Sequence, residues 1–202
     1  MKKTKLIFPI VAIAMFTLFI NSCKNGGINM KMSFGTDSVS ASTSDTLWND
    51  EVQSVFFDTK FGAKGEEVVE NFSNYGFILL EDLSDENTLV FGHKSKYYSF
   101  ADMHWVNLSV TLTDGLFSSI SFYTPRDSKA DAMKDFKDIV ANLSKKYQLT
   151  DVVPDDTTVY VIKRAYSKSP YVAGVGCYSY SDQDSVTCYT TSLDFTDTKI
   201  DD

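Results

Sequence analysis

The sequence predicts an α+β protein: an antiparallel sheet built from two tandem helix-plus-four-strand units, with the helices packed on one face. Three observations carry that expectation. Two stretches place apolar residues at helical spacing, Val68, Val69, Phe72 and Tyr75 in one and Met133, Phe136, Val140, Leu143 and Tyr147 in the other. Each is followed by about four runs that read as strands. Asn71-Phe72-Ser73 and Asn142-Leu143-Ser144 lie 71 residues apart, at matching places in the two helices.

Before the body come a signal segment and a tether. Lys2, Lys3 and Lys5 precede Leu6 to Ile20, an uncharged stretch of 15 residues. A bilayer core takes roughly 20 helical residues to span, so this reads as the apolar region of a signal peptide covering residues 1–22. Ile20-Asn21-Ser22-Cys23 resembles a bacterial lipobox, which implies acylation of the Cys23 thiol and cleavage after Ser22. The alternative is an ordinary thiol near a type I cleavage site. Residues 23–46 are then the acylated Cys and a flexible tether rich in small and hydroxyl residues, its ~22 residues spanning about 25 Å as a random coil. Asp37-Ser38-Val39 and Asp45-Thr46-Leu47 resemble the O-glycosylation triplet of some Gram-negative anaerobes, and plain solvated linker is the competing reading.

Charge sets the partners. The chain has 19 Lys plus Arg against 27 Asp plus Glu, a net charge of -8, which excludes binding driven by nucleic-acid phosphates. Losing residues 1–22, with three lysines and no acid, leaves 16 basic against 27 acidic residues, a net charge of -11. Anionic headgroups repel such a surface, so the acyl chains, at about 0.8 kcal/mol per buried CH₂, must do the anchoring. The expected location is the envelope of a diderm bacterium. Lys24 stands where a retention Asp would keep the protein at the inner membrane, which favours the outer one. Whether the body faces the periplasm or the exterior stays open.

In the first unit, residues 47–125, a helix from Lys64 to Tyr75 should stop at Gly76. Strands at Phe77–Asp82, Thr88–His93, Trp105–Leu112 and Leu116–Tyr123 should follow. Val106, Leu108, Val110 and Leu112 alternate with Asn107, Ser109 and Thr111, giving one dry face. A three-residue Thr113-Asp114-Gly115 loop would pair Leu112 with Leu116 and Leu108 with Ile120, keeping apolar opposite apolar. In the second unit, residues 126–202, Ser128 or Asp127 should cap a helix running to Tyr147, with Asp131 in the capping-box place. Strands are expected at Leu149–Val153, Thr158–Tyr166, Tyr171–Tyr180 and Val186–Phe195.

Phe61-Gly62-Ala63-Lys64-Gly65-Glu66-Glu67-Val68-Val69, closing on Tyr75-Gly76, resembles the opening of β-lactamase-inhibitor-protein-like modules. The resemblance implies a short helix lying on a four-stranded antiparallel sheet, present in tandem, with a concave sheet that holds another protein. No inhibitory loop of that family can be matched residue by residue.

Chemistry-bearing residues are few. A four-residue hairpin loop from Ser181 to Asp184 would set Cys177 opposite Cys188 at disulfide distance, against the alternative of buried free thiols. His93 and His104 lack partners at ligand spacing, Asp155-Asp156 after Pro154 reads as a turn, and no nucleophile elbow occurs. No enzyme, metal or cofactor is expected. Tyr178 and Tyr180 share a parity with Gly174 and Gly176 and are the candidate binding residues, if they turn away from the helices rather than into the core. The functional expectation is a membrane-anchored, non-enzymatic module for a protein partner, in assembly or inhibition. The alternative is a glycan- or peptide-binding accessory lipoprotein that uses the tyrosines.

Overall fold

The computed structural model describes residues 48–154, 156–181 and 186–201. The signal segment, Cys23, the tether and both glycosylation triplets lie outside the described residues. Within them no helix is long and apolar enough to cross a membrane.

The strands are β1 Trp48–Asn49, β2 Val55–Phe56, β3 Thr59–Lys60, β4 Phe77–Leu79, β5 Thr88–His93, β6 Tyr98–Phe100, β7 Met103–Trp105, β8 Asn107–Thr113, β9 Leu116–Arg126, β10 Thr150–Val152, β11 Val159–Ser167, β12 Tyr171–Ser181 and β13 Thr187–Asp197. The helices are α1 Gly65–Asn74, α2 Lys129–Leu143 and the short α3 Thr198–Asp201. One sheet takes the order β1-β11-β12-β13-β9-β8-β5-β4, with β10 also on β11. All its pairings are antiparallel except β1 with β11.

Two tandem helix-plus-four-strand units are not what the chain builds. Among the described residues the fold is dominated by one antiparallel sheet, with strand at 49% against 22% helix and with three α-helices. The segments also interleave. β1, from before the first helix, lies at the far edge of the sheet, where it shares the outer side of β11 with β10. Asn49 fixes it there: its Nδ2 donates to the carbonyls of Gln148 and Tyr166, and its Oδ1 accepts from the Gln148 N–H at 2.7 Å. α3, from the other end of the chain, returns to the first half, with Ile200 against Gly62. The expected boundary at 125/126 falls inside β9, which pairs with β13 from Tyr189↔Arg126 to Thr196↔Ser119. A junction welded over that length cannot be a linker.

α1 carries Glu66 and Glu67 in its first turn, where the helix dipole favours acids, and buries Val68 and Phe72. It stops at Gly76, whose φ of 90° is open to glycine and strained for other residues. α2 starts at Ser128, whose Oγ accepts from the Asp131 N–H at 3.1 Å. It buries Ala132, Phe136, Ile139 and Leu143.

Both long helices bury their apolar stripes on one face of the sheet, where Leu108, Val110, Ile120, Phe122, Val175, Leu193 and Phe195 form the core. Two hairpins, β2–β3 and β6–β7, complete the cover. Phe100 stacks on Phe122 with centroids 4.1 Å apart, and Phe56 lies 5.0 Å from Phe195. Each such aromatic pair adds about 0.5–1.5 kcal/mol beyond the area it buries.

The β8–β9 hairpin corrects a second expectation. Thr113 pairs with Leu116 across a two-residue Asp114-Gly115 loop, both residues at positive φ. Such a turn matches the twist of the strands. A bulge between Thr111 and Leu112 then shifts the register, so that Leu112 meets Phe117, Val110 meets Ile120 and Leu108 meets Phe122. Apolar still faces apolar, through a bulge rather than a longer loop.

Candidate functional site

Side chains alternate along a strand, so the helices on one face leave a second face to the remaining parity. On β12 the odd residues Ala173, Val175 and Cys177 join the helix-side core. Gly174, Gly176, Tyr178 and Tyr180 therefore project to the other side, on which neither long helix and neither hairpin lies. The register of the four central strands arranges this face in rows. Arg164, Gly174, Asp194 and Ser121 lie opposite one another across β11, β12, β13 and β9. Ile162, Gly176, Ser192 and Tyr123 form the next row, and Tyr178 with Thr190 opens a third.

The rows are joined by hydrogen bonds. Ser192 Oγ donates to Asp194 Oδ2 at 2.7 Å, and the Tyr178 hydroxyl lies 3.4 Å from the same Ser192 oxygen. Asp194 Oδ1 has no hydrogen-bond partner among the described residues. Burial dominates the electrostatics. Asp194 is 3% exposed, and desolvation pushes its carboxyl up to about 7, against the opposing pull of the Ser121 and Ser192 hydroxyls and of the Arg164 guanidinium. Desolvation also raises the Tyr178 phenol well above its ordinary value, with the Asp194 charge adding to it, and raises the neighbouring Tyr123. The arrangement is a carboxyl poised near neutrality, a guanidinium and phenolic hydroxyls on one sheet surface. Most of it is buried: Arg164, Tyr178, Ser192 and Asp194 are 9%, 8%, 0% and 3% exposed, while Tyr180 at the end of the strand is half-buried.

The expected residues fare unevenly. Tyr178 and Tyr180 share the side of the sheet away from the helices, Tyr178 buried at 8% exposure and Tyr180 half-buried. Cys177 and Cys188 do not pair. Ser181 meets Thr187, so Cys177 faces Thr191 and Cys188 faces Tyr180. The slip relative to the expected register is odd, which sends the two sulfurs to opposite sides of the sheet. Cys177 is a free, buried cysteine whose thiol burial pushes up. His93 and His104 stay apart: His93 Nε2 lies 3.1 Å from the Tyr75 carbonyl, and His104 Nδ1 lies 3.1 Å from Ser99 Oγ. No His, Cys, Asp or Glu cluster among the described residues could hold a metal. Asp156 closes a turn by accepting from the Thr158 N–H and hydroxyl, which lowers its carboxyl. Arg164, Ser192 and Asp194 were not singled out from the sequence. A lone Asp in the uncharged run Tyr189 to Phe195 was the available signal.

No family model, no curated protein and no solved structure matches the chain.

Proposed function

We propose that the protein is an outer-membrane envelope lipoprotein, anchored through Cys23, whose helix-free sheet face binds a protein partner without catalysing a reaction. The observation that carries this reading is the composition of that face. Tyrosine and arginine are the residues that dominate binding energy at protein interfaces, and Tyr178, Tyr180 and Arg164 project from adjacent strands. Gly174 beside them carries no side chain, whereas the space over Gly176 is taken by the Tyr178 ring. A rigid sheet holds these groups at little entropic cost, Tyr180 half-buried and Tyr178 and Arg164 buried beside it.

A glycan is the alternative ligand. The half-buried Tyr180 ring favours it, because sugars are held against an aromatic surface. Two experiments test the reading. Cys23→Ser should abolish palmitate labelling and leave an uncleaved precursor, and unchanged labelling would refute the anchor. Chemical cross-linking in the native envelope should yield a discrete protein adduct that Tyr180→Ser, at the half-buried position, removes with the melting temperature unchanged. Glycan-array binding without any protein adduct would replace the first ligand class by the second.

A further inference from the structure

A cavity of about 220 Å³ lies on the helix side of the sheet, away from the surface just described. It opens between the Ala101-Asp102 turn of the β6–β7 hairpin, α2 and the ends of β9 and β13. Thr124 and Thr191 sit side by side beneath it. Thr191 spends its hydroxyl on the Ala132 carbonyl at 2.6 Å, whereas Thr124 Oγ1 is buried with no partner among the described residues. The residue itself is only 6% exposed, so bulk water does not readily satisfy it. An unspent hydroxyl in such a place costs about 1–3 kcal/mol unless something enters to meet it.

The lining charges do not cancel. Arg126 Nε donates to Asp135 Oδ2 at 2.6 Å, so these two neutralise each other. Asp102, on the turn, has no partner among the described residues and leaves one negative charge at the cavity. The apolar part of the lining is fixed. Trp105 Nε1 donates to the Phe100 carbonyl at 2.9 Å, and Met103 Sδ accepts from Asn142 Nδ2 at 3.2 Å. Ile139 of α2 completes that part of the wall.

We propose that this cavity binds a primary ammonium on a short aliphatic stem, carried either by a free alkylamine or by the side chain of a lysine. An ammonium has three donors and no acceptor, which suits an unspent hydroxyl oxygen and an unspent carboxylate. Its methylenes lie along Met103 and Ile139 as such stems do on apolar surface. The volume is below the ~300–1,000 Å³ of sites for drug-sized ligands, which excludes a nucleotide or an oligosaccharide. An anion would have to displace Asp135 from Arg126. The net charge of -8 also draws cations toward the protein. The inference stands apart from the helix-free face, and the failure of either leaves the other untouched.

The test is NMR titration of the folded protein, following the Trp105 indole N–H and the Thr124 methyl group. The probes are pentylamine and Nα-acetyl-lysine methylamide, with pentanol and acetate as controls. Both amines should give saturable shifts at these two groups, with Kd on the order of 1 mM for ligands of this size. Thr124→Val and Asp102→Asn should each weaken binding by about five- to tenfold. Both variants keep the local fold, since valine is isosteric with threonine and asparagine tolerates the positive φ of Asp102. Saturation by pentylamine alone supports a free amine as the natural ligand, and saturation by both supports a lysine side chain. Absence of saturation at about 20 mM, equal binding of pentanol, or unchanged affinity in both variants would overturn the proposal.

Discussion

The Tyr178 hydroxyl lies directly over Gly176: a Cβ placed on that glycine would stand 2.1 Å from the phenolic oxygen and 2.4 Å from the carbon that bears it. The ring is thus laid along its own strand, on space that only glycine leaves, and this posture brings its hydroxyl to Ser192 in the next strand.

Gly176→Ala should therefore lift Tyr178 off the sheet at a cost of about 1–3 kcal/mol. Tyr178→Ala removes the clash, so the double variant should be more stable than the sum of the single effects by about 1 kcal/mol or more. Urea unfolding of the four proteins measures this coupling. Additive effects would show that the two residues do not share the space.

Asp194 predicts a pH dependence. Its ordinary carboxyl value is 3.8, and burial raises it to about 7 in the folded protein. Between those values the unfolded chain releases the proton while the folded chain keeps it, so stability falls as pH rises. The loss is complete above about pH 7. Each pH unit in that window costs about 1.4 kcal/mol at most, a few kcal/mol in all. Asp194→Asn should flatten this slope, gaining on the wild type at about pH 8 and not at about pH 4. Parallel stability curves for the two proteins would contradict the burial argument.

Cys177 is buried against the helices and unpaired. Its thiol should resist a water-soluble disulfide reagent in the native protein and react only after denaturation. Cys177→Ala should leave the effect of reductant on stability unchanged. A reductant response that disappears with this substitution would mean that Cys177 is bridged after all.

Local signals in the chain were the legible ones. The Ser128 cap, the stop at Gly76 and the alternation along β8 each depend on residues close in sequence and are found where periodicity puts them, whereas α2 ends at Leu143 rather than Tyr147 and buries Ala132 and Ile139 more deeply than the expected Met133 and Val140. Contacts that depend on distant residues were not. Nothing near Trp48 indicates that it will run beside Tyr166, and a single bulged residue decides the β8–β9 register without a sequence mark of its own. Two hairpins whose turns hold Phe57-Asp58 and Ala101-Asp102 at positive φ lack the glycine or asparagine that usually announces such turns. Burial of their aromatic neighbours Phe56, Tyr98 and Trp105 overrides that preference. At the candidate site the shared parity of Tyr178 and Tyr180 could be read directly. The row from Arg164 to Asp194 needed the register of three strands, and that register also set the two cysteines apart.

The central claim is that the helix-free face, and not the helical side, meets the partner. A photoreactive amino acid placed at Tyr180, and separately at Lys137 on the exposed side of α2, tests it in the native envelope. The account predicts one discrete, saturable protein adduct from position 180 and none from 137. An adduct from 137 with none from 180 would contradict it.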